Sequence, residues 1–218
     1  MVGKNPGENI VKKPWKMHYV GRSTAMHRLK VGHFTQTKRW EILGLPIVSK
    51  PYDLLSPVPV LLFRQPANVL NATEWPYEII NEQFFYLIHD AKRFNDGHLD
   101  NLLIASSEGI NWLYFNKDLR EWIIKNIGDG EQEEKQQTTY YGSGGLDVGR
   151  VGNDSLAYMP AIEPFHRNVI SAYINNSSKE NQWKRYILDI YGYPNENGEG
   201  PAHHLVCADF DNDGNDEF

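Results

Sequence analysis

With a single cysteine, Cys207, the chain can form no intrachain disulfide, so its fold does not depend on oxidation. The apolar neighbours Leu205 and Val206 favour a buried thiol over a reactive one. No stretch stays apolar for the roughly 18 residues that a membrane-spanning helix needs, and a membrane partner is not expected. Residues 1–7 lack the apolar core of a secretory signal; export is unsupported and an intracellular location is slightly favoured. Positive charge is also short. The formal net charge is -6, and the modest group Lys4, Lys12, Lys13 and Lys16 reads as a solvated edge, which excludes nucleic acid as the expected partner. Although there are eight histidines, neither His-Glu-x-x-His nor any other short zinc signature occurs. Sequons stand at Asn71, Asn153, Asn175 and Asn176, but so short a pattern arises by chance and carries little without an export signal.

What the chain does have is aromatic and β-branched residues in short clusters between turns, the composition of an all-β protein. Tryptophan leads a strand-like stretch four times, at Trp15, Trp75, Trp122 and Trp183. After each comes a turn-rich gap and another strand-like stretch, at 28–34, 84–91, 146–151 and 204–210. Two more apolar runs fill each interval: 40–48 with 58–63, 102–105 with 110–115, and 156–162 with 169–174. Four strands per repeat of roughly 50 residues suit a β-propeller blade, a small sheet that buries both faces only by stacking on its neighbours. A β-sandwich would share the strand density but would account less readily for the recurrent tryptophan strand.

This register predicts one incomplete propeller domain over 1–218, with repeats of the FG-GAP or VCBS type. Full blades fall at roughly 27–80, 84–127 and 145–189, and partial blades at 1–20 and 203–218. Because propellers usually carry four to eight blades, a longer parent protein or a second chain is expected to close the ring. The polar stretch 130–139 reads as an exposed loop.

Residues 209–217 form the strongest local signal. Asp209, Asp211, Asp213 and Glu217 occupy positions 1, 3, 5 and 9 of a loop with a glycine at position 6, and with the Asn215 carbonyl they offer an oxygen shell for Ca²⁺ or Mg²⁺. A solvated acidic turn is the plainer alternative. Topology draws some of the histidines together. In an antiparallel blade, His27 and His203 precede first strands and His166 lies between second and third strands, so all three are expected on one face near the shaft. There they could bind a transition metal or transfer protons; the plainer reading is hydrogen-bonded loop histidines. Tyr140 and Tyr141 fall on that same face and could stack on a sugar, although tyrosines there are more often packing. The acidic loop belongs to the opposite face, which points to a structural ion.

Several stretches resemble the propeller domain of the fungal aldos-2-ulose dehydratases: Asn5-Pro6-Gly7-Glu8, the run 25–34 with Met26-His27-Arg28-Leu29, the run 141–152 with Gly149-Arg150-Val151-Gly152, and 203–218, with Phe165-His166-Arg167-Asn168 beside them. The likeness spans nearly the whole chain in order. It implies a metal-dependent carbon–oxygen lyase that removes water from a ketosugar such as 1,5-anhydro-D-fructose or glucosone, within a large homodimer of a seven-bladed propeller, cupin folds and a lectin-like domain. It also implies zinc in a propeller cleft. This chain corresponds to an internal portion of that propeller. On the resemblance, His27 and His203 would hold the metal and His166 would be base or acid. Glu82 or Gln83 would stand where a further histidine is expected, making Glu82 a substitute ligand or catalytic group; Arg28, Tyr140 and Tyr141 would bind substrate. A metal on the carbonyl oxygen would acidify the adjacent C–H, a base would take that proton, and an acid would help the β-hydroxyl leave. Two other readings remain: a non-catalytic binding propeller with an ion only in the acidic loop, and a fragment that does not fold alone.

Overall fold

A computed structural model describes residues 2–4, 16–95, 97–132, 140–175, 182–193, 195–196 and 199–218. Trp15, the 5–8 stretch, Lys12, Lys13, Asn176 and most of the 130–139 loop lie outside them. Every regular element among the described residues is a β-strand, and no helix is long and apolar enough to cross a membrane. The pair β1 (Val2–Lys4) and β2 (Lys16–His18) comes first. Three antiparallel sheets follow. The first runs β3 (Met26–Gly32), β4 (Glu41–Pro46), β5 (Val60–Arg64), β6 (Tyr77–Asn81), and the second β7 (Ile88–Asn95), β8 (Asp100–Ser106), β9 (Gly109–Asn116), β10 (Glu121–Gly128). The third combines β11 (Gly145–Leu146), β12 (Gly149–Val151), β13 (Asp154–Glu163), β14 (Val169–Asn175) and β15 (Trp183–Ile190).

Strand side chains alternate between faces, so a strand in the middle of stacked sheets must be apolar on both. β4 and β8 are buried along their whole length, whereas the outer strands β6 and β15 are largely exposed. The second sheet shows the alternation most clearly. Leu102, Ile104 and Leu113 pack with Leu43, Leu45, Val60 and Leu62 of the first sheet. Leu103, Ala105 and Ile110 pack the other way, with Leu146, Met159, Ala161 and Tyr173 of the third. Burial of this kind makes each large-to-small change in the core cost about 2–5 kcal/mol. Tyr173 needs Gly128 opposite it: a Cβ there would come within 2.3 Å of the ring.

The first strands of the three sheets lie side by side, β3 beside β7 and β7 beside β11, and among the described residues the row of sheets does not close on itself. Two strands depart from expectation. The run 146–151 divides into β11 and β12, which pair β13 on either side of residues 147–148. Pro160 of β13 is the cause: its carbonyl accepts the Asp147 N–H at 3.3 Å, but it has no N–H to return, so the ladder is interrupted there. The stretch 204–210 forms no ladder. Ala208 makes only a bridge to Glu217, because no described strand lies alongside to pair with it.

Candidate metal centre

His27 and His89 occupy equivalent places. Each lies one residue into the first strand of its sheet, and each is skipped by the pairing register, between Met26 and Arg28 on β3 and between Ile88 and Asp90 on β7. A bulge of this kind re-aims a side chain from the sheet face. At the corresponding place before β11 stands Gly144, and before the bridge at Ala208 stands His203.

Gly144 explains how a histidine from a different segment enters. A Cβ at that position would sit 2.6 Å from the Phe165 Cα and 3.2 Å from the His166 nitrogen, so only glycine lets the 164–168 connection approach. That connection carries His166, whose backbone is left-handed at φ 48°. The His166 carbonyl is held by the Gly200 N–H at 2.6 Å, and the Asn168 side chain donates to the Gly192 carbonyl at 2.8 Å. Phe165 stacks on the His166 ring at 4.0 Å and meets His89 edge-on at 4.5 Å.

The result is a group of four imidazoles. His89 lies 5.1 Å from His27, 4.9 Å from His166 and 5.2 Å from His203 between ring centroids, and His166 lies 4.3 Å from His203. One nitrogen each from His89, His166 and His203 lies within 4.8 Å of the others, close enough to share an ion. Three imidazole nitrogens are the donor set of a zinc-class ion, and the buried Nε2 of His166 has no hydrogen-bond partner, so the residues fit such a group. His89 Nδ1 is hydrogen-bonded to the Gly144 carbonyl, which puts the proton on Nδ1 and leaves Nε2 free. Burial, with the neighbouring His166, His27 and Arg28, lowers the His89 pKa to about 4. His166 is lowered by burial and by His203, and His27 by burial and by Arg28. These three are neutral near pH 7, the form that ligates a metal or accepts a proton.

His27 stands outside the three-nitrogen group. Its Nε2 accepts a hydrogen bond from Arg28 Nη1 at 3.2 Å, and its buried Nδ1 makes no hydrogen bond of ordinary geometry, facing the His89 backbone. Arg28 is anchored in turn by Asp90, with Nε 3.0 Å from Oδ1. The histidine that sequence reasoning missed is His89. Glu82 and Gln83 are exposed in the turn after β6, and the place assigned to them belongs to His89. The signal was present: Met26-His27-Arg28-Leu29-Lys30 aligns with Ile88-His89-Asp90-Ala91-Lys92, histidine over histidine and lysine over lysine. Tyr140 packs edge-on against Phe165 at 4.9 Å, and Tyr141 beside it is half-buried.

The acidic loop lies at the other end of β13. It docks on the β12–β13 hairpin through Asp216 N–H to the Arg150 carbonyl at 2.9 Å and Gly152 N–H to Asn215 Oδ1 at 3.0 Å. His166 follows the far end of that ten-residue strand, a span of about 30 Å. Asp209, Asp211 and Glu217 bring an oxygen each within 4.8 Å of the others, a set suited to a hard cation. Asp213, whose carboxylate accepts the Asn215 N–H at 2.8 Å, lies outside that set, and Asn215 Oδ1 accepts the Gly152 N–H. Arg150 lies 3.7 Å from Asp209 and 3.4 Å from Asp216, giving the loop a resident counter-charge.

Comparison with known proteins bears on this arrangement. Residues 3–176 match the family described as "Aldos-2-ulose dehydratase, beta-propeller domain". The chain is 34% identical, over an alignment of 226 positions, to aldos-2-ulose dehydratase from Phanerodontia chrysosporium; the alignment takes in 99% of this chain and 24% of that protein. The chain thus spans about a quarter of that relative's length. With antiparallel all-β sheets and a match over most of its length, this chain belongs to the aldos-2-ulose dehydratase β-propeller family.

Proposed function

We propose that the chain carries the active centre of a carbohydrate dehydratase that eliminates water from a ketosugar of the 1,5-anhydro-D-fructose or glucosone kind. The observation that carries this reading is the convergence of histidines from four separate segments, His27, His89, His166 and His203, in a family of dehydratase propellers. A bland set of loop histidines would have no reason to share one point.

His89, His166 and His203 would hold a zinc-class ion, which when bound supplies a Lewis acid for a sugar oxygen. This assignment moves His166 from proton transfer to ligation, because its nitrogen lies within the three-atom group, and moves His27 out of the ligand set. His27 becomes the proton-transfer residue. Arginine only donates, so Arg28 fixes the lone pair of the neutral, buried His27 ring on Nε2, and when Arg28 turns to a substrate oxygen that nitrogen is free to accept a proton from the carbon next to the carbonyl. Phe165 and Tyr140 supply an apolar wall that limits water at the reacting carbon. The acidic loop, at the far end of β13, is given a structural Ca²⁺ or Mg²⁺ role with no part in the chemistry.

The test is metal analysis of the purified chain, then an assay with 1,5-anhydro-D-fructose, with and without added zinc, following the conjugated ketone by ultraviolet absorbance. Zinc-dependent turnover that disappears in His89→Ala is expected. A chain that binds zinc through these histidines and turns over none of the ketosugars leaves the binding-module reading in its place.

A further inference from the structure

Removing the proton beside a ketone drives negative charge onto the carbonyl oxygen, and a donor already in place there lowers the barrier most. We infer that Arg28 is that donor: a catalytic residue that takes the ketose carbonyl oxygen and stabilises the enolate formed next to His27. The inference rests on the dehydratase reading above.

Three features support it. First, position: Arg28 Nη1 is 3.2 Å from His27 Nε2, so an oxygen bound by this guanidinium has its neighbouring carbon beside the proton acceptor. In a ketone those two atoms are separated by only the carbonyl carbon, and the pair Arg28 and His27 matches that spacing. Second, preorganisation: Asp90, itself buried, holds Arg28 Nε at 3.0 Å and also accepts the Ala91 N–H at 2.8 Å, so the guanidinium is aimed before substrate arrives. Third, availability: among the described residues the hydrogen bonds of Arg28 go to Asp90 and His27, and the Arg28 side chain remains 27% exposed. A guanidinium has five N–H groups, which leaves donors for a ligand, and it stays charged at any working pH.

The step balances without an oxidant or reductant. On binding, the carbonyl oxygen takes the Arg28 Nη1 hydrogen from His27 and frees the Nε2 lone pair. His27 Nε2 then takes the proton from the carbon, the C–H electron pair forms the enolate double bond, and the carbonyl pair moves onto the oxygen facing Arg28. As the carbonyl re-forms, the enolate pair becomes the new C=C bond, the C–O bond to the β-hydroxyl breaks, and the His27 imidazolium returns its proton to that oxygen. One water leaves.

Steady-state kinetics and zinc content of Arg28→Ala, Arg28→Lys and Asp90→Asn test the role. Loss of a preorganised oxyanion donor predicts kcat of Arg28→Ala down by about a hundredfold, with zinc content equal to the parent. Added guanidinium should restore part of that loss, a response that a merely structural arginine would not give. Arg28→Lys keeps the charge without the fork and should fall in between; it also serves if the alanine variant does not fold. Asp90→Asn, which loosens a positioning residue, should cost roughly 10–100-fold. Unchanged kcat in Arg28→Lys and Arg28→Ala overturns the inference, as does loss of zinc in both. A parent chain that binds zinc but turns over no ketose sinks the dehydratase reading, whereas an active parent with unimpaired arginine variants sinks this inference alone.

Discussion

The histidine centre and the acidic loop are both candidate ion sites, built in opposite ways. The loop takes its oxygens from nine consecutive residues, 209–217, partly solvent-exposed and braced by Arg150. The centre takes its nitrogens from β7, the 164–168 connection and residue 203, with His27 of β3 beside them. Contiguous carboxylates stay charged in water and need only a tight turn to converge. The imidazoles depend on three stacked sheets, which both bring them together and, by burial, hold His89, His166 and His27 neutral. A site made by the fold should fail when the fold shifts; a site made by a loop should fail alone.

The largest effect should come from a ligand change. His89→Ala should lower zinc affinity and turnover by more than the roughly 100-fold that loss of a supporting residue costs, while calcium binding at 209–217 is unaffected; isothermal titration with each ion separates the two. Loss of both responses would break the comparison.

Acid should also discriminate between them. His89 is depressed from 6.5 to about 4, so the unfolded chain binds that proton first. The stability this represents is present above pH 6.5 and is lost as pH falls toward 4, on the order of 3 kcal/mol at most. Urea unfolding of chelator-treated protein between pH 7 and 4 should show the decline, and His89→Asn should flatten it. A decline of equal size in the variant would assign the effect to other groups.

For the loop, Ca²⁺ or Mg²⁺ at about 100 times its dissociation constant should stabilise the chain by about 2.7 kcal/mol, a gain absent in Asp209→Asn. Thermal unfolding with and without each ion checks this. The smallest effect sharpens the contrast at one atom. Gly144→Ala pushes a Cβ against Phe165 and should cost about 1–3 kcal/mol while displacing His166. Zinc affinity should drop, and the stabilisation by Ca²⁺ at 209–217 should stay as in the parent.

Much of the fold was legible because its signal is local. The apolar runs at 102–105 and 110–115 became β8 and β9, and the tryptophans at 75, 122 and 183 sit at or just before outer strands. The break between β11 and β12 was not read, although Pro160 was in plain sight, because its effect depends on which strand pairs there. The 84–91 run starts as a strand later than its composition suggests. Its aromatic start, Phe84 and Phe85, looks like strand, but pairing begins only at Ile88, and that offset hid His89 behind Glu82 and Gln83.

The sequence by itself determined the strand periodicity, the acidic loop and the family stretches, because side-chain alternation, turn chemistry and loop spacing act over a few neighbouring residues. Only the tertiary structure decided which histidines meet, that Gly144 opens the way for His166, and that Asp90 aims Arg28 at His27. Those contacts link residues far apart in the chain. Stacked inner strands hold them at a few ångströms, and the same burial determines whether each ring carries charge.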